Sequence, residues 1–317
     1  MISLACLDTC LLRGGTPRET VQASVLTAKQ AEWLGYSRYW LTEHHTRDVA
    51  HSTPEILIPI IAGATSAIRV GVAGTLLRYH NPYRIARSFK FLEALFPGRI
   101  DLGISRTQLN KATASLFHGE CNSDELEIRV KELCGRLAQE NRPPAFPQES
   151  VWMLGGLHGM RSAVQNGLAF SLCLFIGEVS QATARDILTE YTDTYKPSLF
   201  CSTSKPSIAV AGICAESFDR AEALFREATR AGLVHVTPTI IGSPEHCKGV
   251  LDGLAKACGT NEFVYLDLCA RVEDRLRSMS LLAAEMGLHR FETLPLRVTP
   301  QRESGKDENS SFTEIPR

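Results

Sequence analysis

A carboxylate and two imidazoles follow one another at Glu43, His44 and His45, directly after a short apolar run. Such a group could bind a metal ion, transfer protons or cap a surface loop. Adjacent side chains of an extended chain point to opposite faces, so His44 and His45 are poorly placed to bind one ion together. The neighbouring residues also lack the His-x-His or Glu-x-x-His spacing that would complete a metal site. Because an imidazole pKa lies near neutrality, proton transfer by one histidine fits better, and we expect no metal site.

Two other segments have residues suited to holding a ligand. In RVGVAGTLL, the small residues Gly71, Ala73 and Gly74 would let a flat ligand lie against the backbone, although a bulge in the sheet would explain them equally well. In PGRIDLGISR, Arg106 follows Ser105 at the end of an apolar run. The planar fork of an arginine binds two phosphate oxygens, and a surface ion pair is the alternative.

These three segments end the second, third and fourth of eight short apolar runs that alternate with stretches of helical period. The runs are Ile2–Leu7, Tyr39–Thr42, Ile68–Leu77, Arg99–Ile104, Val151–Leu154, Leu168–Phe175, Ser207–Cys214 and Glu262–Leu268. The alternation predicts an α/β fold, a (β/α)8 TIM barrel, whose chemistry lies at the C-terminal ends of the strands. A doubly wound open sheet is the alternative, but the G-x-G-x-x-G fingerprint is missing after the first run.

Composition narrows the class of protein. Of 317 residues, 44% are hydrophobic and 22% are charged, with a formal net charge of −1, which predicts a globular protein without a field that would attract nucleic acid or an anionic membrane. The ten cysteines are scattered and include no Cys-x-x-Cys pair, and the N-terminus has no basic segment, so we expect a reducing cytoplasm. We expect one barrel domain over residues 1–290 and a polar, flexible tail over 291–317.

Taken together, WLTEHH, RVGVAGTLL followed by NPYR, and LEALFPGRIDLGISR resemble the bacterial luciferase-like flavin-dependent monooxygenase family. The segments KPSIAVAGICAESFDRAEAL, IIGSPEHC and RLRSMSLLAAE continue the similarity in the family's order. The resemblance implies a barrel that binds reduced FMN supplied by a separate flavin reductase, or a deazaflavin in some branches. In the flavin enzymes, O2 forms a C4a-peroxyflavin that transfers oxygen to an organic substrate.

The resemblance also implies roles for particular residues. Glu43 is expected to lie near the flavin ring, and His44 and Glu43 are the expected catalytic residues, with His44 as the acid–base group. The bond between Ala73 and Gly74 falls where the family often has a non-proline cis peptide beneath the isoalloxazine. Arg106 takes the place of the ligand to the FMN phosphate.

Three segments depart from the family's pattern, and one of them, Thr107–Lys111, replaces the Gly/Pro-containing turn that is common after the arginine in related enzymes. The loop after the fifth run reads LGGLHGMRS, where the family is usually rich in serine or threonine. Gly155, Gly156 and Gly159 can still offer backbone N–H groups to a phosphate, and the first hydroxyl is that of Ser162. Residues 233–242 are short where luciferase has a long mobile lid, which predicts a more open mouth that accepts a bulky small-molecule substrate or a peptide-like one.

The leading hypothesis is therefore a monooxygenase of specialised metabolism. The first alternative is a reductase or dehydrogenase that transfers hydride between a flavin or deazaflavin and a C=C or C=N bond. The second is a non-catalytic flavin-binding partner subunit, against which the presence of Glu43, His44 and Arg106 argues. By analogy with the family, we expect a homodimer that forms through the helices near the second and third strands.

Overall fold

The computed structural model of the chain describes residues 1–117, 121–139, 146–177 and 179–288. Within these residues, eight parallel strands close a barrel, because each strand pairs with the next and the last returns to the first. The strands of the sheet are β1 (Ser3–Asp8), β2 (Arg38–Leu41), β3 (Arg69–Thr75), β4 (Ile100–Ser105), β5 (Val151–Gly155), β6 (Ala169–Cys173), β7 (Pro206–Cys214), β8 (Ile240–Gly242) and β9 (Glu262–Asp267). The predicted TIM barrel is confirmed.

Helices follow the strands and cover the outside of the barrel. They are α1 (Pro17–Leu34), α2 (Pro54–Ala64), α3 (Pro82–Leu95), α4 (Lys111–Ala114), α5 (Ser123–Ala138), α6 (Leu157–Asn166), α7 (Gln181–Thr194), α8 (Phe218–Arg230), α9 (Pro244–Cys258) and α10 (Val272–Glu285). The bounds of α1 follow from local chemistry. Thr16 and Glu19 form a capping box before the helix, and Gly35 ends it in the left-handed conformation that favours glycine.

One strand lies outside the eight predicted runs. The short β8 falls in the segment 233–242, which the sequence predicted as loop, and it pairs with the last three residues of β7. The pairing needs a glycine at Gly212, because a Cβ there would lie 1.7 Å from the carbonyl oxygen of Ile240. The eighth predicted run, Glu262–Leu268, corresponds to β9, which pairs with both β7 and β1 and closes the barrel.

A cluster of buried charged side chains lies inside the barrel near the starts of the strands. Asp101 on β4 is fully buried and accepts hydrogen bonds from Arg38 (2.8 Å), from Arg69 (2.6 Å) and from the indole of Trp40 (2.9 Å). The ring of Trp152 packs edge-on against Trp40 at 5.2 Å. Since the carboxylate is paired with two guanidinium groups, this end of the barrel is closed and structural. Ligand binding and catalysis are therefore expected at the opposite end, where the strands have their C-termini.

No helix among the residues described is both long and apolar enough to cross a membrane. The predicted tail at 291–317 lies outside the described residues, as do residues 289 and 290 at the end of the predicted barrel domain.

Candidate functional site

Glu43 organises a cluster of polar side chains at the C-terminal end of the barrel. Its Oε1 atom lies 2.8 Å from Nε2 of His45 and 2.6 Å from Nε2 of His80, and its Oε2 atom accepts the backbone N–H of Leu76 at 2.9 Å. Burial would raise the pKa of Glu43, but the hydrogen bonds from the two histidines outweigh it and lower the pKa to about 2. Glu43 is therefore ionised at neutral pH, and both imidazoles donate to it.

Aromatic residues cover this cluster. The ring of Phe117 packs edge-on against His45 at 5.0 Å and against His80 at 6.1 Å, and it also contacts Tyr79 at 5.3 Å. The hydroxyl of Tyr79 accepts the backbone N–H of Leu109 at 2.9 Å. Phe117 thus lies over the two histidines that contact Glu43, and the Glu43 side chain is buried.

The cluster has one member that spacing in the sequence did not reveal. His80 lies 37 positions after Glu43, and only the pairing of β2 with β3 brings their following loops together. The ligand atoms of Glu43, His45 and His80 lie within 4.8 Å of one another, a spacing that a divalent cation accepts. The absence of a metal site therefore stays a prediction.

His44 points away from the cluster, as the alternation of an extended chain predicts. It lies exposed at the mouth of a cavity of about 440 Å³, lined also by the apolar residues Leu11, Val49 and Leu266. Partial burial in this wall lowers the pKa of His44 below its usual value, although Asp48 and Glu43 act in the opposite direction. The imidazole is therefore neutral at pH 7 and can accept a proton from a molecule in the cavity.

The peptide bond between Ala73 and Gly74 is cis, as the resemblance implies. It lies within a register shift of β3 against β4, between Val72 and Thr75, so the alternative explanation by a bulge also holds. A Cβ at Gly74 would lie 2.9 Å from the carbonyl carbon of Gly103 on β4, a backbone atom that cannot move aside as a side chain can. The small residue is therefore required by the barrel itself, whatever ligand lies beside it.

Arg106 and the glycine turn after β5 line a second cavity, of about 650 Å³. Gly155, Gly156 and Gly159 form part of its wall together with Arg106, so the structure brings these four predicted residues together. Gly155 has φ +130°, a conformation that other residues rarely adopt. Helix α6 begins at the turn, and its cap residue Gly156 makes no side-chain hydrogen bond, which leaves backbone N–H groups for an anion.

A carboxylate already occupies this cavity. Arg106 forms an ion pair with Glu127 on α5, and the hydroxyl of Ser162 donates to the other oxygen of Glu127 at 2.6 Å. The first hydroxyl after the glycine turn is thus engaged by Glu127. A bound phosphate would have to share Arg106 with this carboxylate.

Two buried carboxyl groups at strand ends were missed by the sequence interpretation. Asp8 ends β1 and accepts hydrogen bonds from Arg275 (3.0 Å) and from Ser24 (2.7 Å). Burial would raise the pKa of Asp8, but Arg275 holds it well below its usual range. Asp267 ends β9 beside the His44 cavity, and burial raises the pKa of its carboxyl group. The rule that barrel chemistry lies at the C-terminal ends of strands would have selected both.

Solved structures share this fold over nearly the whole chain. Apo-MsnO8 is 28% identical and aligns with a TM-score of 0.79 over 92% of this chain and 100% of its own. At 16% identity, the oxygenating constituent of 3,6-diketocamphane monooxygenase from Pseudomonas putida, in complex with FMN, has a TM-score of 0.69 over 90% of this chain and 97% of its own. At 14% identity, an F420-dependent secondary alcohol dehydrogenase has a TM-score of 0.67 over 92% of this chain and 99% of its own.

Sequence comparison gives the family. YwcH of Bacillus subtilis (strain 168), an uncharacterized protein, is 32% identical over 89% of this chain and 98% of its own length. A luciferase-like monooxygenase of Escherichia coli (strain K12) is 31% identical over 73% of this chain and 72% of its own. The profile of the luciferase-like monooxygenases matches residues 2–128, which contain Glu43, His44 and Arg106. The chain therefore belongs to the luciferase-like monooxygenase family of oxidoreductases.

Proposed function

We propose that the protein is a flavin-dependent monooxygenase that uses reduced FMN and O2 to oxidise an organic substrate. The observation that carries this proposal is the order of features around the barrel mouth. The His44 cavity is walled by the ends of β9, β1 and β2, and the cavity that contains Arg106 by the ends of β4 and β5. Strand β3, with the small residues Ala73 and Gly74, stands between β2 and β4. A bound flavin would match this order, with its phosphate in the Arg106 cavity, its ring beside β3 and the substrate in the His44 cavity.

Each part of the mouth would then have its own task. Arg106 and the N–H groups around Gly155 and Gly156 would hold the phosphate, and the small residues of β3 would face the ring. Ionised Glu43 fixes its histidine partners beside the ring, and neutral His44 holds or moves a proton at the substrate. When bound, reduced FMN would supply the activation of O2.

The proposal includes a separate flavin reductase, because reduced FMN must reach the open mouth from outside. All ten cysteines are free thiols, nine of them buried, which supports a reducing cytoplasm as the location. The substrate is a small or peptide-like organic molecule, as expected of an enzyme of specialised metabolism.

We also infer that the protein is a homodimer. Ile56 and Ile60 are 64% and 50% exposed on α2, and Phe91 and Leu95 are 59% and 51% exposed on α3. Apolar side chains on two neighbouring helices are typical of an interface between identical subunits. Light scattering after size exclusion should give twice the mass of one chain, and an Ile60→Glu variant should give the mass of one.

Hydride transfer with a deazaflavin is the second candidate, because the F420-dependent alcohol dehydrogenase shares this fold. Flavin titrations and turnover assays separate the candidates. FMN and the deazaflavin F420 are each titrated in oxidised and reduced form, and turnover of a substrate panel is followed with and without O2. The monooxygenase requires O2 and places one 18O atom from 18O2 in the product. Anaerobic turnover with reduced F420 would establish the second candidate, and binding without turnover would favour a non-catalytic subunit.

The phosphate assignment has its own test. Arg106→Ala should weaken FMN binding by at least about tenfold and leave riboflavin, which has no phosphate, within about twofold. Arg185→Ala is the matched control, because Arg185 is exposed on α7 and pairs with Asp186. Equal weakening of FMN and riboflavin by Arg106→Ala would contradict the assignment.

A further inference from the structure

We propose that the cavity beside His44 takes an organic substrate that carries a carboxylate, and that Arg13 binds this carboxylate. The inference rests on the proposed function, since it gives the class of substrate for the same site. It depends on one cation in the wall of the cavity and on the apolar surface around it.

Arg13 is fixed by the backbone of the loop that follows β9. One of its terminal nitrogens, Nη1, donates to the carbonyl oxygen of Cys269 and lies 3.3 Å from that of Ala270. Arg13 itself has φ +51°, a conformation that non-glycine residues seldom adopt. The chain therefore holds this guanidinium at one place in the cavity wall.

The charge of Arg13 has no carboxylate in contact with it. Within the part of the chain that the structure describes, no carboxylate oxygen forms an ion pair with this guanidinium, and its two known acceptors are neutral carbonyls. Burial and the nearby charge of Arg275 lower the pKa of Arg13, while Asp8 and Asp267 act in the opposite direction without touching it, and an arginine stays protonated in proteins. A partly buried cation that no carboxylate contacts can still form a direct ion pair with an anionic group of a ligand.

The two carboxylates that line the same cavity are engaged elsewhere. Asp267 accepts the backbone N–H of Cys269 at 2.9 Å and the hydroxyl of Tyr265 at 3.2 Å. Asp48 pairs with His235 at 3.3 Å, at the rim of the mouth. Neither carboxylate neutralises Arg13 by contact, so the guanidinium remains available to a ligand.

The rest of the wall selects an apolar body for the ligand. It is formed largely by the apolar side chains of Leu11, Val49, Ile176, Leu233, Val236 and Leu268. A volume of about 440 Å³ is within the range of pockets that hold small organic ligands. Since Arg13 and His44 line the same cavity, a molecule anchored by its carboxylate would lie beside the proposed acid–base residue.

The test compares acids with their neutral amides of the same shape. Octanoate and octanamide, and 3-phenylpropanoate and 3-phenylpropanamide, are titrated into the full-length chain by calorimetry. We expect at least one acid to bind about tenfold or more tightly than its amide, because a charge-assisted bidentate contact is lost in the amide. If no acid binds more tightly than its amide, the proposal is wrong.

Variants then locate the binding site. Arg13→Gln should abolish the preference for the acid, Arg13→Lys should retain part of it, and Arg271→Gln should leave it unchanged. Arg271 is the matched control, since it belongs to the same loop after β9 and its side chain is exposed and paired with Glu227. Val236→Trp should block acid binding by filling the cavity while leaving Arg13 in place. Acid binding that survives both Arg13→Gln and Val236→Trp would overturn the assignment.

Flavin titrations on the same samples separate the two proposals. FMN binding with no preference for acids would leave the monooxygenase proposal standing and remove this one. A preference for acids that depends on Arg13, without FMN binding, would remove the flavin proposal and keep the carboxylate site. Circular dichroism and the melting temperature of each variant show that the loss of binding is not caused by unfolding.

Discussion

Nη1 of Arg106 donates to Oε1 of Glu127, inside the cavity that the glycine turn also lines. The negative charge of Glu127 lies beside the arginine that we propose binds the FMN phosphate, and it repels the phosphate. The ion pair with Glu127 also holds the Arg106 guanidinium in one orientation. Glu127 thus has two opposite effects on FMN affinity: it orients Arg106 and it repels the phosphate. Which effect is larger can be measured.

We predict that Glu127→Gln strengthens FMN binding. The amide keeps a hydrogen bond to Arg106 or Ser162 but removes the negative charge, so FMN affinity should rise by roughly threefold to tenfold while riboflavin affinity changes by less than about twofold. Fluorescence quenching of the two flavins measures both constants. Glu132→Gln is the control, since Glu132 pairs with Arg136 on the exposed side of α5. Weaker FMN binding in Glu127→Gln would show that orientation outweighs repulsion.

His44→Ala should impair turnover far more than flavin binding. Loss of a general acid–base group typically costs about a hundredfold to ten-thousandfold in rate, whereas the FMN dissociation constant should stay within about threefold. His246→Ala is the control, because His246 is an exposed histidine on the outer helix α9. Turnover that is unchanged in His44→Ala would remove His44 from the chemistry.

The same residue gives a pH prediction. Partial burial lowers the pKa of His44, so its neutral form persists below the usual pKa of an imidazole. If His44 acts as a base, kcat/KM should fall as the pH drops through this lowered pKa, and the profile of His44→Ala should lack that limb. The measurement is a pH–rate profile between about pH 4 and 8 at saturating reduced flavin.

Several features of the site follow from sequence, and others depend on contacts that no spacing shows. The alternation of runs and helices places Glu43, Ala73, Arg106 and Gly155 at one end of the barrel, because parallel strands all end on the same side. Their order around the mouth follows from strand order. These parts could be predicted from periodicity and caps alone.

The partners of these residues could not be predicted in this way. His80 meets Glu43 across 37 positions and Glu127 meets Arg106 across 21, and such pairs depend on rotamers and on the lateral packing of α5. The second predicted run begins at Tyr39, whereas β2 begins at Arg38. A charged residue is expected outside a buried strand, and Arg38 is buried in β2 because it pairs with Asp101, which lies far away in the sequence.

Glu43 should stabilise the fold in a pH-dependent way. Burial alone would raise its pKa, but hydrogen bonds from His45 and His80 lower it from 4.5 to about 2. A carboxyl group whose pKa is lower in the folded state contributes stability above the unfolded pKa and loses it as the pH falls through the folded pKa. Between about pH 4.5 and 2, Glu43 should therefore lose a contribution on the order of 3 kcal/mol.

Urea unfolding of the native protein and of Glu43→Gln, compared as a function of pH, isolates this contribution. The difference in the free energy of unfolding should be largest above pH 5 and should shrink towards pH 2. Glu222→Gln, at a half-exposed position on α8, should run parallel to the native protein. If the difference in the free energy of unfolding does not change with pH, Glu43 stabilises the fold through the packing of its side chain and not through its charge.

Gly71 should be required for the packing of the barrel strands and not for contact with the flavin. A Cβ at this position would lie 2.2 Å from the carbonyl oxygen of Asp101, so an alanine must push β3 and β4 apart. That movement would disturb the hydrogen bonds of Asp101 to Arg38 and Trp40. We expect Gly71→Ala to lower the free energy of unfolding by about 3 kcal/mol or more, measured by urea denaturation.

The control for Gly71→Ala is Gly63→Ala, because a Cβ at Gly63 would meet no atom within 4 Å and the residue lies in α2. Alanine favours a helix over glycine, so stability should be unchanged or higher by up to about 1 kcal/mol. If Gly71→Ala keeps native stability but loses flavin, the small residue serves the ligand and the strand packing is more tolerant than the structure implies. If it loses stability first, the tight approach of β3 to β4 is a requirement of barrel closure.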